Sequence, residues 1–253
     1  MRPATTGPAQ AAWLLLIVIP GPHFYKPPGT PKKRITMPDY AAQRTTMVDT
    51  QLATSGVTNP RVQAAMAAVA RERFVPASKR AMAYCDLPVE VAPGRHLLDP
   101  RSFAKLLTLA DVHADDRVLD VGCATGYSAA VLSLLAGSVV ALEQDADLVR
   151  IASDLLPAAG AANATLVQGA LVEGAKGSAP YDVIVVEGGI EEAPQKLLSQ
   201  LAEGGRLVAV LQQGPQGRGH LFVKENGRIG MRADFDASVP VLSGFRRAVG
   251  FVF

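Results

Sequence analysis

The chain has 253 residues, 49% of them hydrophobic and 19% charged, with 25 basic against 23 acidic side chains. A chain this apolar can bury a large core, which excludes global disorder and leaves room for one domain or at most two. Residues 1 to 36 carry Arg2, Lys26, Lys32, Lys33 and Arg34 and no acid, so the remainder holds 20 basic against 23 acidic side chains, a balance that makes nucleic acid a poor default partner.

The opening stretch contains seven of the 18 prolines and the only tryptophan, Trp13, around one apolar run from Ala11 to Ile19. That run is about half of what a bilayer-spanning helix needs, and no membrane partner is expected. No small-x-small cleavage pattern follows it, and Pro20, Pro22, Pro27 and Pro28 come next. Residues 1–36 are therefore read as a disordered or mis-started N-terminal extension, with Met37 or Met47 as the start, in preference to a secretory signal. From Asp39 to Ala110 the pattern is helical: Val62, Met66 and Val69 recur near a 3.6-residue period behind Pro60. An extended stretch over Leu87–Val91 ends at Pro93-Gly94, and helix returns from Pro100 to Leu109.

After Asp115-Asp116 the texture changes to short apolar runs separated by helices. Strands are predicted at Val118–Val121, Val139–Leu142, Thr165–Val167, Val183–Val186 and Leu207–Leu211, and helices at Ser128–Ala136, Ala146–Leu156 and Pro194–Leu201. Such alternation calls for parallel strands joined by crossover helices, and strands apolar on both faces agree with a sheet covered on both sides. Gly204-Gly205 reads as a turn, Asn226-Gly227 as a hairpin, and Arg246–Phe253 as a last strand. The organisation predicted is a helical, substrate-side segment over 37–110 and a cofactor-binding α/β core over 111–253, one domain from 37 to 253.

The most informative stretch is Val118-Leu119-Asp120-Val121-Gly122-Cys123-Ala124-Thr125-Gly126-Tyr127, followed by helix-forming residues from Ser128. Gly122 and Gly126 let the backbone turn sharply and let a ligand approach the main chain, while the helix N-terminus offers free N–H groups. A dinucleotide site wants G-x-G-x-x-G around a pyrophosphate. Here the pattern is G-x-A-x-G behind acidic Asp120, a poor neighbour for pyrophosphate and a good one for a ligand with a cationic amino group and a sulfonium. Glu143 closes the next strand, where a carboxylate can accept two ribose hydroxyls. Asp120, Gly122, Ala124, Gly126, Tyr127, Glu143 and Gln144 together resemble the S-adenosylmethionine site of a class I methyltransferase.

The resemblance extends further. Met47-Val48-Asp49-Thr50-Gln51-Leu52, Val57-Thr58-Asn59-Pro60-Arg61-Val62, Arg71-Glu72-Arg73-Phe74-Val75-Pro76 and Ala83-Tyr84-Cys85-Asp86-Leu87-Pro88 are similar, in order and spacing, to the N-terminal half of protein-L-isoaspartate O-methyltransferases. Ala179–Val186 and Leu197–Val208 are similar to that family's later segments. The resemblance implies a Rossmann-like fold with a mostly parallel seven-stranded sheet, helices on both faces and an N-terminal helical decoration. It implies carboxyl methylation of isoaspartyl residues in damaged proteins or peptides, with S-adenosylmethionine as cofactor. A carboxylate of ordinary pKa is already ionised at neutral pH, so the absence of a Ser-His-Asp or Cys-His arrangement is expected.

Departures from the family pattern mark the candidate catalytic residues. The substrate loop, Gly-Gln-Thr-Ile-Ser-Gln-Pro in the family, is Gly94-Arg95-His96-Leu97-Leu98-Asp99-Pro100, so the family's serine hydroxyl falls at Leu98. Losing that donor costs about 1.5–3 kcal/mol. Arg95 or His96 could replace it, or both could be exposed loop residues. The family's Gly-Asp-Gly at the adenine end appears as Gly169-Ala170-Leu171, a looser grip for which Gln168 could compensate. Ala124 replaces a central glycine, tolerable where φ is negative. Glu187 reads either as a contact to substrate or cofactor or as a rim carboxylate facing water. These departures leave open a different acceptor, or a cofactor-binding homologue without isoaspartyl activity. No His/Cys cluster has metal-ligand spacing, so no metal is expected. Cys85 reads as a buried apolar side chain and Cys123 as a turn residue. Two cysteines suit a reducing compartment, hence a cytoplasmic protein, and a monomer is expected.

Overall fold

The computed structural model describes residues 38–214 and 216–247. The N-terminal extension over 1–36 lies outside the described residues. Helix α1 (Tyr40–Met47) is capped by Asp39, whose carboxylate accepts from the Ala42 N–H, and runs on through a π-helical turn to Gly56 at φ 81°. Helix α2 (Pro60–Ala68) starts as its sequence suggests: Asn59 accepts from the N–H groups of Arg61 and Val62, and Pro60 takes the first helical position, where its missing N–H costs nothing. Val62, Ala65 and Met66 form its buried face, whereas Val69 is already extended.

Strands β1 (Val89–Ala92) and β2 (Arg95–Leu97) make a small antiparallel ribbon outside the main sheet, turning at Pro93-Gly94. Helix α3 (Pro100–Ala110) follows, with Asp99 as N-cap, Pro100 in its first turn and Phe103, Leu106, Leu107 and Ala110 buried. The α/β core comprises β3 (Arg117–Val121), α4 (Tyr127–Ser133), β4 (Ser138–Glu143), α5 (Ala146–Ala158), β5 (Ala164–Gln168), β6 (Tyr181–Ile190), α6 (Gln195–Leu198), β7 (Leu201–Gln213), β8 (Gln216–Glu225) and β9 (Arg228–Ala237). The seven-stranded sheet has the order β5-β4-β3-β6-β7-β8-β9, parallel from β5 to β7 and antiparallel through β8 and β9.

Side-chain alternation divides the core between the two faces. Val118, Val139, Ala141, Val183, Val185, Val208 and Val210 join the helices α2 to α5 on one side. Leu119, Val121, Val140, Leu142, Ile184, Val186 and Leu207 lie on the other, covered by Leu197 and Leu198 of α6 and by Leu171, Leu242 and Phe245. Both faces are dry, which is why these strands read as continuous apolar runs.

The differences from the predicted elements are concentrated at their ends. Strands β6 and β7 are longer than expected because their pairing continues past the apolar run, and α6 stops at Leu198 because Leu201 is already paired with Tyr181. Gly204-Gly205 is a bulge inside β7; a Cβ at Gly205 would stand 2.8 Å from Ala202 O and 2.9 Å from Tyr181 O. Asn226 and Gly227 take φ of 51° and 72° and join β8 to β9, as the hairpin signal requires. The seventh strand is β9. Of the closing strand expected at Arg246–Phe253, Arg246 and Arg247 are not extended in a sheet and 248–253 lie outside the described residues. No helix among the described residues is long and apolar enough to cross a membrane.

Candidate active site

From β3 the chain goes outward to β4 and β5, then returns to place β6 on the opposite side of β3. This is a topological switch point, and ligands of open α/β sheets bind beyond the carboxyl ends of the strands there. The register pairs Val121 with Leu142 on one side and with Val186 on the other. The next residues of the three strands, Gly122, Glu143 and Glu187, therefore come level along one edge.

The turn from β3 into α4 is left-handed three times: Gly122 at φ 86°, Ala124 at φ 52° and Gly126 at φ 97°. The negative φ that would make Ala124 harmless is not adopted. Its methyl is held in a region that costs an L-residue roughly 1–2 kcal/mol. This conformation aims the Ala124 N–H at Glu143 Oε2, at 2.8 Å. Glu143 is fully buried and accepts four hydrogen bonds. Oε2 receives Arg95 Nη2 at 2.5 Å and the Ala124 N–H; Oε1 receives the N–H groups of Gln144 at 2.8 Å and Asp145 at 3.1 Å. Arg95 Nη2 also donates to Gly122 O at 3.1 Å.

Asp120 is fully buried beneath the turn. Its Oδ2 accepts from Ser128 Oγ at 2.7 Å, while Oδ1 is buried without a partner. Burial pushes its pKa up to about 7, against the opposing pull of the Ser128 hydroxyl, and the Glu143 charge adds to the rise. Glu187 is 6% exposed, so it does not face water, and its Oε1 has no partner. Burial, reinforced by Asp120, holds its carboxyl well above the ordinary range. Burial also lowers the His96 imidazole, keeping it neutral, and raises the Cys123 thiol well up, so neither supplies a charge at neutral pH.

Gly122, Cys123, His96 and Glu187 border a cavity of about 10 Å³, room for roughly one water molecule. His96, Leu98, Gly122, Tyr127, Ser128 and Glu187 line it together with Arg71. Of the sequence-derived candidates, His96, Leu98, Gly122, Tyr127 and Glu187 line this cavity, Arg95, Ala124 and Glu143 are hydrogen-bonded together at the adjoining turn, Asp120 is bonded to Ser128, and Gly126 leads into α4. Gln144 and Ala170 are exposed at the neighbouring ends of β4 and β5, and the Gly169 N–H donates to Glu143 O at 2.9 Å. Arg71 and Ser128 were not singled out by sequence. Nothing in Arg71-Glu72-Arg73 tells which arginine turns inward; Arg71 is fully buried and Arg73 exposed. Cys85, expected to be buried, is exposed because the turn after the Ala77–Met82 helix lies at the surface.

Residues 42–243 match the family described as Protein-L-isoaspartate(D-aspartate) O-methyltransferase (PCMT). A protein-L-isoaspartate O-methyltransferase of Koribacter versatilis is 40% identical over 169 residues, covering 67% of this chain and 76% of the relative. Protein-L-isoaspartate O-methyltransferase 2 of an Anaeromyxobacter species is 36% identical over 210 residues, covering 83% and 85%. A solved protein-L-isoaspartate O-methyltransferase superposes with a TM-score of 0.69 at 25% identity, over 79% of this chain and 66% of that one. A Plasmodium falciparum structure described as a beta-aspartate methyltransferase, in complex with S-adenosyl-L-homocysteine, gives 0.67 at 21% identity over 79% and 98%, which shows the fold alone.

Proposed function

The chain belongs to the protein-L-isoaspartate(D-aspartate) O-methyltransferase family, and from that membership we propose that it methylates the side-chain-derived carboxylate of isoaspartyl residues in damaged proteins or peptides, with S-adenosylmethionine as cofactor. The observation that carries this reading is the placement of Gly122 and Glu143 level at the switch point of the sheet, with Asp120 buried beneath the turn between them. The residues present fit such a cofactor. Asp120 Oδ1 is a buried acceptor without a partner. Asp120 would hold the amino group, with Gly122, Ala124, Gly126 and Tyr127 forming the turn beside it and Gln144, Gly169 and Ala170 the adenine end; Glu143, which accepts from Arg95 and three N–H groups, would take the ribose hydroxyls on displacement of Arg95 Nη2. When bound, S-adenosylmethionine supplies a methyl group activated by the positive charge of its sulfonium.

The protein's part is placement and dryness. Leu97, Leu98, Phe103 and Tyr127 make one wall of the cavity apolar and buried. Charge is neutralised when a carboxylate attacks a sulfonium, so a desolvated pocket favours the transition state, and alignment supplies much of the acceleration. The acceptor arrives ionised, so no side chain has to remove a proton first. Arg95, His96, Leu98 and Glu187 are the residues we assign to the acceptor side. We place the activity in the cytoplasm, in a monomer acting without nucleic acid or membrane; two free cysteines, Cys85 and Cys123, agree with a reducing compartment.

One observation favours a second reading. Leu98, 2% exposed, brings a hydrocarbon where the family offers a hydroxyl, which suits an acceptor other than an isoaspartyl carboxylate. Calorimetric titration with S-adenosylmethionine, paired with a radiolabelled methyl assay on isoaspartyl and normal aspartyl peptides, separates the two. Binding with base-labile label on the isoaspartyl peptide alone is expected. Cofactor binding with no label on either peptide would transfer support to the second reading, and no binding at all would end both.

A further inference from the structure

The cavity beside Gly122 is lined by a buried cation that the cofactor turn leaves unused. Arg71 is fully buried. Its Nε donates to Ala83 O and its Nη2 to Leu98 O, both at 2.6 Å, and its Cζ lies 4.7 Å from the centre of the Tyr127 ring. These contacts hold the guanidinium in one orientation and leave Nη1 buried with no partner. Its hydrogen-bond acceptors are neutral carbonyls, and it forms no ion pair among the described residues. A desolvated cation without an anion is costly, and an incoming carboxylate would remove that cost while completing the hydrogen bonds.

We propose that Arg71 recognises the acceptor, its Nη1 receiving the isoaspartyl carboxylate in place of the hydroxyl that Leu98 lacks. The inference rests on the carboxyl-methylation reading above. Arg71 is tied to the backbone carbonyl of Leu98 and lines the same cavity as the Leu98 side chain, so it is fixed to the loop that carries the family's serine position. The other ionisable groups at the cavity leave the role open to it. With no cofactor bound Arg95 is engaged by Glu143, so the Arg95→Gln variant below tests its part in the complex, and burial lowers the His96 imidazole. Glu187 lines the same cavity but forms no ion pair with Arg71 among the described residues; burial raises its carboxyl well above the ordinary range, against the pull of the Arg71 charge. Entry of the isoaspartyl side chain into so small a cavity requires the β1–β2 ribbon to give way, and that ribbon stands outside the main sheet.

The test compares two synthetic peptides that differ only in carrying isoaspartate or its neutral amide, isoasparagine, titrated into the protein with S-adenosylhomocysteine present. The native protein should bind the isoaspartyl peptide roughly 10- to 100-fold more tightly, with that ratio flat from pH 6 to 9. In Arg71→Lys the isoaspartyl dissociation constant should rise by about the same factor, while the isoasparaginyl value and that of S-adenosylhomocysteine stay within about threefold. Equal losses for both peptides, or none, would overturn the assignment. Should Arg71→Lys fail to unfold cooperatively, the native ratio decides: a ratio near one, a collapse above pH 7 that points to His96, or its disappearance in a folded Arg95→Gln protein each overturns it. A native protein that puts no label on the isoaspartyl peptide sinks the carboxyl-methylation reading instead, so the two failures are distinguishable.

Discussion

Arg95 and Glu143 form the most deeply buried ion pair among the described residues, with side chains 6% and 0% exposed. Neither charge is stable there alone, and the carboxylate is further held by three backbone N–H groups of the turn and of the start of α5. Removing one partner of a buried pair typically costs about 3–5 kcal/mol, because the survivor stays buried and unpaired. Arg95→Met should therefore destabilise the protein by about 3 kcal/mol, toward the low end since the N–H groups remain. For a domain of this size that is a fall in Tm of roughly 6–12 °C. Thermal melts followed by circular dichroism check it, and an unchanged Tm would mean that the pair contributes nothing to the fold.

Helix α3 is the element that links the substrate loop to the sheet. Its N-cap, Asp99, follows Leu98 directly, and the helix packs Phe103, Leu106 and Leu107 into the core. The cap is 5% exposed and accepts the Ser102 N–H at 2.8 Å, so no water can replace it freely. Asp99→Ala should cost about 1–2 kcal/mol, whereas Asp99→Asn, which keeps the acceptor, should stay within a few tenths. Urea unfolding reads this as a lower midpoint at constant m-value. Equal midpoints for the two variants would show that the cap bond is not what holds the first turn. The β1–β2 ribbon contrasts with α3: three to four residues per strand pair only with each other, so the position of Arg95 depends on its own ion pair more than on a sheet.

At the scale of the molecule, the sheet concentrates acids at one dry edge, and this sets a pH dependence of stability. The Asp120 pKa rises from an ordinary 3.8 to about 7 on folding, so between those values the native state holds a proton that the unfolded chain has released. Its contribution is then greatest below pH 4, declines as pH rises toward 7, and is flat above, with a slope of at most about 1.4 kcal/mol per pH unit. Glu187, raised for the same reason, acts in the same direction. Asp120→Asn removes the ionisation while keeping an acceptor for Ser128. Its stability relative to the native protein should therefore be greater at pH 8 than at pH 5, measured by urea unfolding at both. An identical difference at the two values would mean that Asp120 is ionised throughout.

Much of this protein was legible in one dimension. The strand, glycine turn and helix from Val118 to Leu132, the acid at Glu143 and the spaced family segments all rest on local backbone chemistry and on periodicity, which a sequence carries directly. The lengths of β6 and β7 were not, because pairing with neighbours continues where the apolar pattern stops. The choice of β9 as seventh strand depends on an Asn-Gly turn bringing a polar strand back against β8, with most of its side chains left in water. Which of Arg71 and Arg73 lies inside, that Ala124 adopts a left-handed turn, and that Arg95 closes on Glu143 are consequences of distant segments meeting. Burial and pairing belong to the folded assembly of elements, and no single stretch of chain records them.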